Sequence, residues 1–230
     1  MMIPERVAAV RDRITRAAAR AARRPEEVTL VAVSKTFPAE AVLAAFEAGC
    51  RDFGENRVQE AEAKLGPLDA LRAQGARWHL VGHLQANKAR RAVQLFDRIH
   101  SIDAEDLGER LARIGAELSH AVHALIEVDL AGEATKHGLP AGRLRPVLEA
   151  LRGLPGLCLE GLMVMPPYEQ DAERTRPYFR RLRELGDELA EAGLLAGREL
   201  SMGMSHDLEV AVEEGATLVR VGTAIFGERG

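Results

Sequence analysis

Val28-Thr29-Leu30-Val31-Ala32-Val33-Ser34-Lys35 is an apolar run, rich in β-branched residues, that closes on a lysine. It alternates little between apolar and polar positions. That pattern marks a strand buried on both faces, as in a parallel sheet covered by helices. In such folds the C-terminal strand ends carry the chemistry. A partly desolvated amine at that place has a lowered pKa and can form a Schiff base with a carbonyl. Taken alone, the run favours the plainer reading, a lysine that snorkels out of a strand end.

The same pattern recurs outward from this run. Strand-like segments are expected at 28–34, 51–54, 78–82, 98–102, 123–130, 158–165, 200–204 and 217–222. Helical patterns fall between them at about 38–48, 56–64, 86–95, 104–118, 140–151, 170–193 and 206–214. Pro38 and Pro140 are expected near helix starts, and Asp207 or Ser205 as the cap of the last helix. Alternating β and α units imply a parallel sheet with right-handed crossovers. Eight units predict an α/β fold, a closed (β/α)8 TIM barrel, with an open doubly wound sheet as the alternative. Residues 1–230 read as a single domain. Ahead of the barrel, Val7, Val10, Ile14, Ala17 and Ala21 form one helical stripe, which Pro25 is expected to end. The arginines of residues 1–24 faintly suggest a transit peptide, but a packed helix with a solvated basic face fits the stripe better.

Composition narrows the function. Hydrophobic residues make up 47% of the chain, which suits a sizeable core, while aromatics are only 4%, which disfavours base stacking. A net charge of -4 argues against general nucleic-acid binding. Cys50 and Cys158 are the only cysteines. They form no CxxC or Cys/His motif, so no zinc site is expected, and a reducing cytoplasmic setting fits. No stretch is apolar enough to span a membrane.

The mouth of a barrel would collect Lys35, Glu55, Asn56, His83, Met163 to Pro167, Met204, Ser205, Gly222 and Thr223. The segment 200–207, LSMGMSHD, is expected to pass from strand to helix through Ser205, offering backbone N–H groups and a hydroxyl to an anion. The segment 219–227, VRVGTAIFG, adds a glycine that admits a ligand to the backbone and a second hydroxyl. Anion sites in barrels often follow strands seven and eight. Arg220 shares a strand face with Gly222, and if buried it requires a ligand nitrogen or a carboxylate as acceptor. An amine to trap an aldehyde, two turns for a phosphate and an arginine between them describe a pocket for pyridoxal 5′-phosphate (PLP). His79 and His83 flank the third strand, where an acid/base role is the minority reading against an ordinary backbone hydrogen bond. Glu133 and Lys136 read as a loop ion pair, Lys88, Arg90 and Arg91 as a solvated basic helix face, and Met163 and Met165 as core or pocket wall.

At these residues the chain resembles the YggS/PROSC family of PLP homeostasis proteins. The matching stretches are VAVSKTFP, FGENRVQE, WHLVGHLQANK, SIDAEDL, GEATKHG, GLMVMPP and LSMGMSHDLEVAVEEGATLVRVGTAIFG, in order from residue 31 to 227. The resemblance implies a barrel like the N-terminal domain of alanine racemase. It implies Lys35 as the Schiff-base lysine and Arg220 as partner of the pyridine nitrogen. Ser205, Gly222, Thr223 and Ser201 would bind the phosphate, and Asn56 would line the pocket. His206 falls at a position that varies in the family and carries no expected role.

The resemblance favours a non-enzymatic PLP carrier in vitamin B6 homeostasis that can hand cofactor to apoenzymes. The alternative is a PLP-dependent amino-acid racemase. Racemases of this kind take a second base, a tyrosine, from a partner's extra β domain. This chain ends just after its eighth strand, and Tyr168 and Tyr178 lie outside the cofactor motifs. A monomer is expected for the same reason. A cofactor-free lysine aldolase is the weakest reading, since it leaves Arg220 without a task.

Overall fold

The run that opens the chain's sheet forms Thr29–Val33 (β1), one residue shorter than expected at each end. It is followed by Asp52–Glu55 (β2), Arg77–Leu80 (β3), Arg98–Ile102 (β4), Val122–Asp129 (β5), Leu139–Pro140 (β6), Leu157–Val164 (β7), Glu199–Ser201 (β8) and Leu218–Val221 (β9). These spans come from a computed structural model that describes residues 2–132 and 137–228. The strands are parallel in the order β4-β3-β2-β1-β9-β8-β7-β5, and pairing of β4 with β5 closes the ring. The barrel is thus closed, and the open-sheet alternative falls. Among the described residues no helix is long and apolar enough to cross a membrane.

Helices surround the ring: Ile3–Arg20 (α1), Ala39–Glu47 (α2), Val58–Leu65 (α3), Ala89–Leu95 (α4), Glu105–Glu117 (α5), Leu144–Leu151 (α6), Arg176–Glu191 (α7), Leu208–Glu213 (α8) and Thr223–Phe226 (α9). Pro140 lies near a helix start as expected, capping the 3-10 turn Ala141–Arg143 that runs into α6. It also lies in β6, which pairs with the end of β5. The extended geometry that proline imposes on its predecessor suits that pairing.

α1 buries Val7, Val10, Ile14, Ala17 and Ala18. Its end comes before Pro25, where Ala22 turns into the left-handed region at φ 53. The basic face is not simply solvated. Arg13 grips Glu209 at 2.6 Å, Arg20 grips Glu213 at 2.6 Å, and Arg23 donates to the Val212 carbonyl at 2.7 Å. These arginines hold α1 against α8. Arg90 and Arg91 are exposed and pair with Glu117 and Glu62.

The period of two along each strand sorts the apolar residues into two clusters. Val31, Val33, Val81, Leu125, Met163 and Leu218 fill the inside of the ring. Leu30, Ala32, Phe53 and Leu80 belong to the larger layer between sheet and helices. Gly161 lets β7 approach β8 closely, because a Cβ there would come within 1.9 Å of the Glu199 carbonyl oxygen. Gly161→Ala is therefore expected to lower unfolding free energy by roughly 1–3 kcal/mol in urea titrations. An unchanged midpoint would contradict the Gly161–Glu199 register.

Candidate functional site

Inner-facing positions of successive strands climb toward one mouth. On β1 they read Val31 and Val33, and the next step of two reaches Lys35; on β9, Leu218 and Arg220 lead to Gly222. The register pairs Val31 with Arg220, and a Cβ on Gly222 would lie 3.4 Å from the Val33 carbonyl oxygen. Lys35 and the Gly222 turn therefore leave adjacent strands side by side. Phe37 stacks on Phe226 with ring centroids 5.3 Å apart, fastening the two turns together.

The turn after Lys35 is held under strain. Thr36 has φ 68, a left-handed conformation that a β-branched residue rarely adopts. Its N–H donates to the Glu60 carboxylate. Behind it, Ser34 Oγ donates to Glu55 Oε1 at 2.6 Å, and Lys64 Nζ reaches Glu55 Oε1 at 2.6 Å and the Ser34 carbonyl at 2.8 Å. Burial pushes the Glu55 carboxyl up, against the lowering pull of Lys64 and Ser34. This network of β2 and α3 holds the backbone on both sides of the half-buried Lys35.

Arg220 lies inside the barrel with 4% of its surface exposed. Nη1 donates to Ser201 Oγ at 2.7 Å and Nη2 to the Val164 carbonyl at 2.9 Å. Both acceptors are neutral. Burial lowers the guanidinium to about 10, opposed by the charges of Glu127 and Asp207, so it stays a cation at neutral pH. Ser201 is fully buried, and His100 Nδ1 sits 2.8 Å from its hydroxyl oxygen. The structure places Ser201 behind Arg220, apart from the surface turns expected to hold phosphate.

Ser205 and Thr223 meet at the mouth. The Ala224 N–H donates to Ser205 Oγ at 3.2 Å, joining the β8 and β9 turns. Gly203 has φ 88, and a methyl there would strike Ala211 Cβ. The chain does not enter a helix at Ser205. A turn through Ser205–Asp207 comes first, and α8 begins at Leu208. Asp207 is the last residue before the helix, but its carboxylate accepts the Met204 N–H at 2.7 Å instead of capping helical amides. Arg13 also bonds the Ser205 carbonyl at 3.0 Å, so α1 braces this turn. Tyr168 and His206 have ring centroids 5.6 Å apart beside it, which places a tyrosine nearer the mouth than its sequence position suggests.

Asn56 lies on the other flank of β1. With Gly82, His83, Gln85 and Lys88 it lines a cavity of about 610 Å³. His83 Nδ1 faces Asp103 Oδ2 at 2.9 Å, and its ring stacks on His137 at 3.7 Å. His79 does not flank a strand end. It is buried within β3, bonded to His100 and Asp52 side chains rather than to backbone, so it is no mouth residue. Met163 is buried in the ring, whereas Met165 is 40% exposed. Glu133 and Lys136 lie outside the described residues.

The chain matches the family model described as "Alanine racemase, N-terminal domain" over residues 6–230. It is 42% identical over 225 residues to the "Pyridoxal phosphate homeostasis protein" of Aquifex aeolicus, covering 98% of this chain and 97% of that one. The chain belongs to this family. It is also 42% identical over 232 residues to the Escherichia coli K12 protein of the same name, covering 99% and 97% of the two chains. The solved structure of PipY from Synechococcus elongatus PCC7942 with PLP bound superposes with a TM-score of 0.87 at 43% identity, covering 98% of this chain and 100% of that one.

Several site residues escape sequence reading. Glu127 points its buried carboxyl into the ring near Arg220, and Asp103 reaches the mouth from β4. Parity with Leu125 was the available signal for Glu127 but does not distinguish a site carboxylate from a solvated one, and Asp103, three residues past the inward His100, is brought in only by the irregularity of β4 between Ile99 and Ile102. Spacing likewise offered no metal cluster, yet folding sets ligand atoms of His83, Asp103 and His137 within 4.8 Å of one another, and does the same for His123, Cys158 and Glu160. In the second group Glu160 already pairs with His123 and Arg98, each at 2.7 Å.

Burial raises Glu127 to about 7, with the Asp103 charge adding to the rise and Arg220 opposing it. An acid whose folded pKa exceeds its unfolded value holds more protons when folded, so stability falls as pH rises from about 4.5 through about 7. In the PLP-free protein, Glu127→Gln should remove this loss and exceed wild-type stability by roughly 2–3 kcal/mol more at pH 8 than at pH 5. Denaturant titrations at the two pH values check it; parallel wild-type and variant profiles would contradict the assigned environment.

Proposed function

We propose that this protein binds PLP covalently at Lys35 and serves vitamin B6 homeostasis as a carrier without turnover of its own. The observation that carries the reading is the enclosed Arg220, a cation inside the ring below the strand end that bears Lys35, whose hydrogen bonds among the described residues go to the neutral Ser201 hydroxyl and Val164 carbonyl. The donor set fits PLP: a primary amine at the β1 end, a guanidinium inside the ring, and a hydroxyl with backbone amides where the β8 and β9 turns meet. PLP, when bound, supplies an aldehyde that condenses with an amine and a ring that accepts electron density. The name shared by the Aquifex and Escherichia coli relatives and the PLP bound by PipY support the same reading.

In this reading Lys35 Nζ provides the amine, and the strained Thr36 turn keeps it over the ring. Arg220 turns an N–H toward the pyridine nitrogen. A permanent cation placed there would disfavour a proton on that nitrogen. The electron demand of the ring is thereby held down, which suits carriage better than carbanion chemistry. Ser205, Gly222 and Thr223 hold the phosphate. Ser201, taken up by Arg220 and His100, supports the cofactor site through Arg220. Asn56 lines the approach. The reading extends to a single-domain monomer of the cytoplasm that passes PLP to apoenzymes. A racemase would need a second base beside the cofactor, and His79, one candidate for it, is buried below His100.

The visible absorption spectrum with added PLP, before and after borohydride, tests the proposal. Wild type should show a band that borohydride bleaches, with the label on the Lys35 peptide. Lys35→Ala should lose covalent attachment while keeping its unfolding midpoint. Reducible PLP retained by Lys35→Ala would overturn the assignment.

A further inference from the structure

A line of buried hydrogen bonds runs from Arg220 to the opposite end of the barrel. Arg220 Nη1 meets Ser201 Oγ at 2.7 Å, and Ser201 Oγ meets His100 Nδ1 at 2.8 Å. His100 Nε2 meets His79 Nδ1 at 2.9 Å, and His79 Nε2 meets Asp52 Oδ1 at 3.0 Å. Arg77 Nε closes the line on the same carboxylate at 2.9 Å. The five residues from Arg220 to Asp52 are all buried. Asp52 and His79 line a cavity of about 310 Å³ at the N-terminal strand ends, together with Arg77, Asp97 and Arg98.

Donation in one direction, from Arg220 toward Asp52, sets every proton between them. Arginine only donates, and an ionised carboxylate only accepts. Ser201 therefore accepts from Arg220 and turns its own proton toward His100 Nδ1. His100 then carries its proton on Nε2 and donates to His79 Nδ1. His79 carries its proton on Nε2 and donates to Asp52. Both ring nitrogens of each imidazole have a hydrogen-bond partner. Burial holds His100 well below the ordinary histidine range, and the nearby positive charges of Arg220 and Arg98 add to this. Asp52 is held low by His79 and Arg77 against the rise that burial causes. A chain polarised in one direction strengthens each of its bonds.

We propose that His100, His79 and Asp52 form a positioning relay that, through Ser201, orients Arg220 toward its ligand from the far face of the barrel. This rests on the PLP reading above. A serine hydroxyl rotates freely unless its proton has a fixed acceptor. With His100 in place, Ser201 presents a lone pair to Nη1. With Val164 holding Nη2, the guanidinium plane is set at two points and its remaining donors are left for the cofactor. None of the three relay residues needs to touch PLP.

Nuclear magnetic resonance of the PLP-free protein with ¹⁵N-labelled histidine and arginine tests the relay first. The result expected is a neutral Nε2–H tautomer for both His100 and His79 at pH 7, with slow rotation about the Arg220 Cζ–Nη bonds. A protonated ring or an Nδ1–H tautomer in either histidine overturns the relay whether or not PLP binds. Rotation at Arg220 should quicken in His100→Leu and in Asp52→Asn, the second being a gentle change at the far end. Wild-type rotation in both would overturn it. After loading with ¹⁵N-labelled PLP, both variants should shift the pyridine ¹⁵N resonance and release PLP roughly tenfold faster. Wild-type values for both readouts in both variants would overturn the positioning role. A wild type that takes up no PLP would sink the proposed function, and the relay would then be decided by the tautomers and the Arg220 rotation.

Discussion

Enclosing one arginine inside the barrel is the constraint around which this structure is arranged. A buried guanidinium that lacks hydrogen-bond acceptors costs several kcal/mol. Here the acceptors come from β7 through the Val164 carbonyl and from β8 through Ser201. Satisfying Ser201 in turn requires His100 on β4, and satisfying His100 requires His79 on β3. The line ends only at a carboxylate beside Arg77, where the cavity is lined by charged groups. Strand register and side-chain chemistry are thereby coupled, because a one-residue slip on any of these strands turns its relay residue out of the ring. The apolar residues Val31, Val33, Val81, Leu125, Met163 and Leu218 pack the rest of the interior.

The mouth is braced from outside the ring. α1 ties its arginines to Glu209 and Glu213 of α8 and to the Ser205 carbonyl, so the helix ahead of the barrel steadies the turn proposed for phosphate. α3 supplies Lys64 and Glu60 to the turn that carries Lys35. Phe37 and Phe226 lock that turn to the β9 turn. A left-handed Thr36 persists because these contacts over-determine it. The proposed amine, cation and phosphate donors thus sit on β1, β9 and β8, neighbours in the ring, with Asn56 on β2 beside them.

Much of this was legible in the sequence because it is local. The β-branched run before Lys35, the eight strand-like segments and the shared parity of Arg220 and Gly222 follow from spacing alone. What was not legible depends on distance along the chain. His100 and Ser201 are separated by 101 residues and His79 and Asp52 by 27, so no window contains either pair. The resemblance implied Ser201 as a phosphate ligand; its hydroxyl meets Arg220 and His100, contacts that no stretch of sequence around it displays. The basic face of α1 read as solvated because its partners, Glu209 and Glu213, lie near the other end of the chain. The helix expected from about 140 opens as a 3-10 turn after Pro140, which also pairs into the sheet, and the one expected from 206 opens at Leu208 because Asp207 turns back to Met204.

The most direct test of the central claim is a crystal structure of the protein loaded with PLP. The account predicts electron density continuous from Lys35 Nζ to the cofactor, its pyridine nitrogen within hydrogen-bond distance of Arg220, and its phosphate between the Ser205 and Thr223 turns. Cofactor bound elsewhere, or bound with its ring nitrogen away from Arg220, would contradict it.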